Sequence, residues 1–321
     1  MKAPVLTAGT ETSRDHATKA PLPSAARRKG KSKSDGFWPW LFVVPTVVGI
    51  GVFYLWPMVQ TFYYSFTKWG VFGGAKFIGL DNYTRMLADS SIPQSILNTL
   101  IYTAIVLLGI PAAVILASLI ERPGMRFASL YRTLYFIPYV TMPAAVGIVW
   151  RLIYNGDFGP INWFLSLFGI HGPYWTSTPG FALLAVATVG LWMSLGFNLL
   201  IISAGLREIP RELFEAAEMD GASRIRQFFS ITVPLLTPSI FFVTIVTVIS
   251  GFQLFDLLYV MMGKANLAMP QTQSLVYIFY NQAFLQNDKG YAAAIGILIL
   301  AIIALLTAFQ FRIQKRWVNY V

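Results

Sequence analysis

The sequence predicts an all-α membrane protein of six transmembrane helices, with N-terminus and C-terminus in the cytoplasm. Three observations carry that expectation. Six apolar stretches each approach the ~20 residues that a helix needs to cross hydrocarbon. The basic residues are shared unequally between the two sets of connections. The connection between the fourth and fifth stretches is dense in charge. Hydrophobic residues make up 56% of the 321 and charged residues 12%, and the mean hydropathy is +0.60, outside the ordinary soluble range. With 0 cysteines there are no disulfides or thiolate metal sites, and His16 and His171 are too few for a metal cluster.

Residues 1–36 are polar and basic, with no apolar core of the kind a cleavable signal peptide needs. They are expected to form a disordered cytoplasmic tail. Its cluster Arg27, Arg28, Lys29, Lys31 and Lys33 fits an anchor to anionic lipid, because an apolar stretch follows at once. Residues 37–321 are then one membrane domain, with spans at about 40–64, 95–120, 132–154, 181–205, 236–260 and 291–311.

Pro138 and Pro143 are expected to kink the third span. In the fourth, Gly190, Ser194 and Asn198 recur every four residues and form a narrow small-to-polar stripe, suited either to close helix packing or to a polar path. Trp192 fits an interfacial anchor or a stacking platform. In the fifth, Thr244, Thr247, Ser250, Gln253 and Asp256 each follow the last by three residues. On a continuous helix that spacing drifts by about 60° per step, so the five wind around it. A charge at mid-bilayer costs about 2.5–3.5 kcal/mol on insertion scales, so Asp256 is expected to serve a pathway or a helix pairing. Asn98, Thr99 and Thr103 in the second span read as packing hydrogen bonds.

Counting Lys and Arg with the N-terminus inside gives eighteen on the inner side and six on the outer, of 24 in all. That bias sets the orientation, and it accounts for the net charge of +10 without nucleic acid.

The inner connection after the fourth span holds Glu208, Glu212, Glu215, Glu218 and Asp220, five of 14 acidic residues. Pro210 suits a first helical position, and Gly221 suits the left-handed residue that closes a helix. Leu213, Phe214 and Ala217 share one face, with Arg211, Glu215 and Glu218 on another. A second short helix is expected over 222–229.

Glu215-Ala216-Ala217, then Gly221, Ile231 and Pro234 at their spacing, resembles the EAA loop of ABC importer permeases. It departs at Val233, where that family usually has Leu. Gly79-Leu80-Asp81-Asn82-Tyr83 with Asn98-Thr99, and the segment Asp157–Trp163, resemble carbohydrate-uptake permeases of the maltose-type first-permease class. The aromatic content of 157–163 fits a short helix lying in the membrane interface. The resemblance covers residue 37 onward.

It implies that Arg211, Glu215, Ala216, Ala217, Glu218, Asp220 and Gly221 couple the chain to an ATPase. It also implies that sugar or polyol passes by alternating access. Because polar groups in spans cost free energy unless they face protein or water, and the fourth and fifth spans flank the loop, Ser194, Asn198, Thr247, Ser250, Gln253 and Asp256 are expected on the path. The implied partners are a second permease, an ATP-binding subunit dimer, an extracytoplasmic binding protein and membrane lipid, in a bacterial inner membrane. ATP and Mg belong to the ATPase: the nearest Walker-type run here, Gly30-Lys31-Ser32, has Ala25 in place of the first Gly. Two alternatives stand beside this reading. One is a permease for glycerol-3-phosphate or a phosphodiester; the other is a self-sufficient proton-coupled carrier, using Asp256, or a membrane-embedded enzyme.

The charge bias makes a prediction about sidedness. Cysteines placed at Ser177 and Ser274 should react with an impermeant thiol reagent in intact cells, and one at Ser223 only after the membrane is opened. Labelling of Ser223→Cys in intact cells would reverse the orientation.

Overall fold

The computed structural model describes residues 38–69, 74–122, 124–263 and 265–318. The basic tail and Lys264 of the sequence analysis lie outside these residues. Two compact units divide at Phe53/Tyr54. In the first, helix α1 covers Trp38–Ile50 and carries Pro45 within it.

The second unit, 54–321, holds the remaining described elements. It opens with α2 (Trp56–Tyr64), the short strands β1 (Thr67–Trp69) and β2 (Ala75–Phe77), then α3 (Asp81–Ala88), α4 (Ser91–Leu107) and α5 (Gly109–Ile120). Helices α6 (Ala128–Val140), α7 (Pro143–Ile153), α8 (Pro160–Ser166) and α9 (Phe181–Glu208) follow. After them come α10 (Arg211–Met219), α11 (Arg224–Gln227), α12 (Val233–Leu235) and α13 (Thr237–Phe252). The unit closes with α14 (Asp256–Met262), α15 (Met269–Thr272), α16 (Leu275–Tyr280) and α17 (Lys289–Trp317).

Four helices are long and apolar enough to cross a bilayer: Trp40–Tyr64, Ser91–Ile120, Phe181–Glu208 and Lys289–Trp317. Two bent pairs, α6 with α7 and 224–235 with α13, bring the number to six if each pair is one crossing. The all-α expectation needs one amendment. β1 and β2 form an antiparallel hairpin with Lys68 opposite Lys76. It is pinned to the start of α17, where the Lys289 ammonium lies 4.7 Å from the Trp69 ring centroid.

The third apolar stretch is broken rather than kinked, with 97° between α6 and α7. Pro143 opens α7 and drives Met142 out of the helical region, to ψ 125°. Pro138 stays inside α6. The fifth stretch also departs from a single helix. α13 stops at Phe252, Phe255 turns to φ −143°, and α14 begins afresh at Asp256. The five residues from Thr244 to Asp256, expected to wind around one helix, are therefore divided between α13, a non-helical turn and α14. At the break the Leu254 carbonyl is satisfied by Ser274 Oγ, which donates to it at 2.6 Å from 20 residues away.

The buried apolar residues fall into three groups. One gathers α9 residues 182–189 with Leu257, Leu258, Met261 and Met262 of α14 and Val146 of α7. A second joins α5 to the other end of α9, to Leu236 and to Val243 of α13. A third joins Met86, Ile92, Leu275, Ile278, Tyr291 and Ile295. The Gly79–Tyr83 segment belongs to the hairpin's support. Gly79 turns at φ 65°, and buried Asn82 Nδ2 donates to the carbonyls of Ser65 and Thr67, each at 2.9 Å.

Asn98, Thr99 and Thr103 do act in packing. Asn98 Nδ2 donates to the carbonyls of Gln271 and Gln273, while Thr99 and Thr103 hydroxyls bond back to their own helix. Ser274 is 1% exposed, so it is unsuited to thiol labelling. Exposed Gln286, in the same connection before α17, takes its place.

Close approach of α6 and α9 rests on Gly196, where an added Cβ would meet the Tyr135 carbonyl and come 2.9 Å from the Phe136 Cα. Backbone cannot yield as a side chain can. Gly196→Ala should lower stability by about 1–3 kcal/mol, as overpacking does, and a thermal melt in detergent would show it. An unchanged melting temperature would contradict the packing.

Candidate functional site

A cavity of about 260 Å³ lies among α4, the α6–α7 break, α9, α13 and the α13–α14 break. Its wall includes Ser194, Asn198, Thr247, Ser250, Gln253 and Asp256, all six positions expected on a path. They come from one stripe of α9, from α13, from the turn that follows it and from the first residue of α14. Ser194 Oγ bonds back to the Leu191 carbonyl at 2.8 Å. Asn198 is fully buried, and neither its amide nitrogen nor its oxygen has a hydrogen-bond partner among the described residues. Such a pair costs free energy unless something else meets it. Thr247 is buried, whereas Ser250, Gln253 and Asp256 are exposed. Thr244 bonds the Ile240 carbonyl and does not reach the wall.

Apolar and aromatic residues complete the wall, including Tyr102, Tyr139, Met193, Phe197 and Phe255. Tyr139 and Phe197 stack at 5.2 Å between centroids. Sequence reasoning missed these because polar patterns on single helices do not report an aromatic on a neighbour. Gly190 lies on the wall as a packing residue, since an added Cβ would meet the Tyr102 hydroxyl. Trp192 is outside the wall and sits edge-on to Trp150 at 5.5 Å. Asp256 is the one charged residue lining the cavity, with no lysine or arginine among the described residues there. Those residues also contain no group of His, Cys, Asp and Glu that could hold a metal.

The charged turn lies at the far end of α9. Pro210 is the N-cap of α10 rather than its first residue, with ψ 132°. Its ring fixes φ, and the chain reverses there after Ile209. At the other end Gly221 takes φ 74°. Gly221 N–H donates to the Glu218 carbonyl at 3.0 Å and Ala222 N–H to the Ala217 carbonyl at 2.9 Å. This is a Schellman closure.

Ser223 then caps α11 by accepting from the Arg226 N–H at 3.3 Å. α11 is shorter than the helix expected over 222–229, because the backbone widens to a π-helical turn at Phe228–Thr232. Arg211, Glu215, Ala216, Glu218, Asp220 and Gly221 are exposed and Ala217 is half-buried. Phe214 packs onto the second core group. Leu213, expected beside it, is 42% exposed; Met219 and Ile225 stand out further, at 89% and 74%.

The model of the family described as "Binding-protein-dependent transport system inner membrane component" matches residues 105–319. The chain belongs to that family. It is a multi-pass inner-membrane permease subunit of an ABC importer, a transporter component whose ATP hydrolysis is carried out by a separate partner chain.

Two curated relatives agree along nearly their whole length. The sn-glycerol-3-phosphate transport system permease protein UgpA of Agrobacterium fabrum is 34% identical over 288 residues, 88% of this chain and 96% of the relative. The arabinooligosaccharides transport system permease protein AraP of Bacillus subtilis is 32% identical over 304 residues, 92% and 95% of the two chains. Among solved structures, a bacterial ABC transporter involved in import of the acidic polysaccharide alginate contains a chain with the same fold. The TM-score is 0.78 at 19% identity, over 88% of this chain and 96% of that one.

The Gly221 turn is open to a direct test. An added Cβ meets nothing within 4 Å, so the first cost of Gly221→Leu is the left-handed φ, at about 1–2 kcal/mol. Amide exchange at Ala222 should rise about tenfold in Gly221→Leu and change much less in Gly221→Asn, since Asn tolerates the left-handed region. Equal protection in all three proteins would show that the closure is unimportant.

Proposed function

We propose that this chain carries a neutral sugar or related polyol from an extracytoplasmic binding protein across the inner membrane. In this reading six crossings place both termini and α10 in the cytoplasm. The chain pairs with a second permease. Helix α10 and its Gly221 turn couple to the ATP-binding dimer, which holds ATP and Mg. The exposed acidic face and the protruding Leu213, Met219 and Ile225 suit a docking helix better than a simple connection. Alternating access follows: α10 is continuous through α9 and α11–α13 with the cavity walls, so a push on it moves them.

The cavity's composition is the observation that carries the substrate class. A buried amide at Asn198, the amide of Gln253, hydroxyls at Thr247 and Ser250, and aromatic walls can meet sugar hydroxyls and ring faces. The second reading, a glycerol-3-phosphate importer, is favoured by the 34% identity to UgpA. A phosphate monoester is a near-dianion that calls for Arg, Lys or oriented backbone N–H groups. Among the described residues, this chain's share of the cavity offers no lysine or arginine, and it carries the Asp256 carboxylate.

Uptake by proteoliposomes containing the whole transporter tests the assignment. Gln253→Leu and Asn198→Leu should each slow transport of a neutral oligosaccharide about tenfold. A ligand group left unpaired costs about 1–3 kcal/mol. Complex yield and basal ATP hydrolysis should stay near normal, and glycerol-3-phosphate should not compete. If these variants and Ser250→Ala all transport at the wild-type rate with unaltered selectivity, the path lies elsewhere; competition by glycerol-3-phosphate would favour the second reading.

A further inference from the structure

The most connected ion-pair cluster among the described residues lies away from the cavity, at the end of the bundle that carries α10. Glu121 is the C-cap residue of α5. Arg132 belongs to the second turn of α6, and Arg207 to the last turn of α9, three residues before Pro210. Arg207 Nε reaches Glu121 Oε2 at 3.1 Å, and its Nη2 reaches Oε1 at 3.1 Å. Arg132 approaches from a second side, with Nη2 3.2 Å from Oε2 and Nε 3.1 Å from Oε1.

One carboxylate thus holds the two-pronged fork of Arg207 and a single hydrogen bond from Arg132 Nη2, while Arg132 Nε, close to Oε1 but not aligned to donate, adds charge alone. The Glu121 side chain is 16% exposed. Burial works to raise its pKa, but the Arg207 hydrogen bond and the charges of Arg132 and Arg207 outweigh it and hold the carboxyl below its usual value. A lone exposed pair would contribute little. A shared, bidentate carboxylate fixes geometry as well as charge. The residues next to these charges in the chain, Ala117 and Ile120 of α5 and Ile209 after α9, belong to one core group, and Phe214 of α10 and Phe228 pack against that same group.

We propose that Glu121 is a positioning residue for energy coupling: with Arg132 and Arg207 it locks the ends of α5, α6 and α9 to the base of α10, so that a displacement of α10 moves three helices together. The proposal rests on the reading of α10 as the ATPase-facing helix. Without the lock, α10 shifts while α5 and α6 stay behind, and ATP is spent with less movement at the cavity.

The test uses the reconstituted complex of both permeases, ATPase and binding protein, and reads substrate imported per ATP hydrolysed. Glu121→Gln keeps the shape but removes the charge and turns one of the two acceptor oxygens into a donor. It should assemble and hydrolyse ATP while the ratio falls at least about fivefold, the low end of couplings between sites; Glu121→Asp should regain part of the loss. If the residue only stabilises the fold, yield drops and the surviving complexes keep the wild-type ratio, which overturns the proposal. Should Glu121→Gln fail to assemble, Arg132→Gln, which leaves the Arg207 fork, is judged by the same ratio: a fall supports the lock and no change overturns it. Gly221→Leu separates the two ideas. That variant should lose the ATPase itself, and full retention with full uptake would remove the coupling role of α10, whereas a normal ratio in Glu121→Gln removes only the lock.

Discussion

The hydrogen bond from Ser274 Oγ to the Leu254 carbonyl, 2.6 Å long, permits the fifth apolar segment to stop being a helix. A spanning helix satisfies its own backbone, and an interruption frees carbonyls that hydrocarbon cannot meet. Here a side chain from elsewhere meets one of them, and Asn98 and Thr99 meet backbone groups of the adjoining 271–275 segment in the same way. Ser274 takes the Leu254 carbonyl and also accepts from Tyr277 N–H at 3.1 Å, starting α16. Asn98 takes the carbonyls of Gln271 and Gln273. Thr99 Oγ1 accepts from Leu275 N–H at 3.4 Å. Because these groups are satisfied, Gln253 and Asp256 can leave the helix surface and face a cavity.

That cavity sits where two core groups meet, and α9 belongs to both. One end of α9 is packed with α14 and α7, and the other with α5 and the start of α13. α9 then runs, through the Pro210 reversal, into the charged turn. The arrangement is mechanical: a stiff 28-residue helix has the cavity on its middle and the turn at its end. Gly190 and Gly196 sit on the same helix at the closest approaches to Tyr102 and Tyr135. Small residues bring the neighbouring helices near enough for a shift of one to be felt by the others.

Charge is arranged by location rather than by total. The chain has 24 Lys and Arg against 14 Asp and Glu, yet no Lys or Arg among the described residues lines the cavity. Guanidinium groups gather instead at the helix ends, at Glu121 and at Arg85–Asp288, where the pair is 2.6 Å apart. A basic protein therefore offers its candidate ligand an electrostatically neutral-to-acidic pocket, which no count over the whole chain conveys.

The sequence by itself determined the family, through the spacing from Glu215 to Pro234, and the placing of the long apolar helices, through their length. It also determined the Gly221 closure. These are local properties: a run of apolar residues, a turn glycine and a helical face each act within a few residues of themselves. Nearness of Ser194 and Asn198 to Thr247 and Ser250 was legible as two polar stripes on adjacent segments. The tertiary structure alone decided the rest. The α13–α14 break depends on Ser274, the aromatic walls depend on helices far apart in the chain, and Glu121 meets Arg207 across 86 residues. Periodicity carries no information about such partners, because a hydrogen bond or an ion pair depends on distance in space.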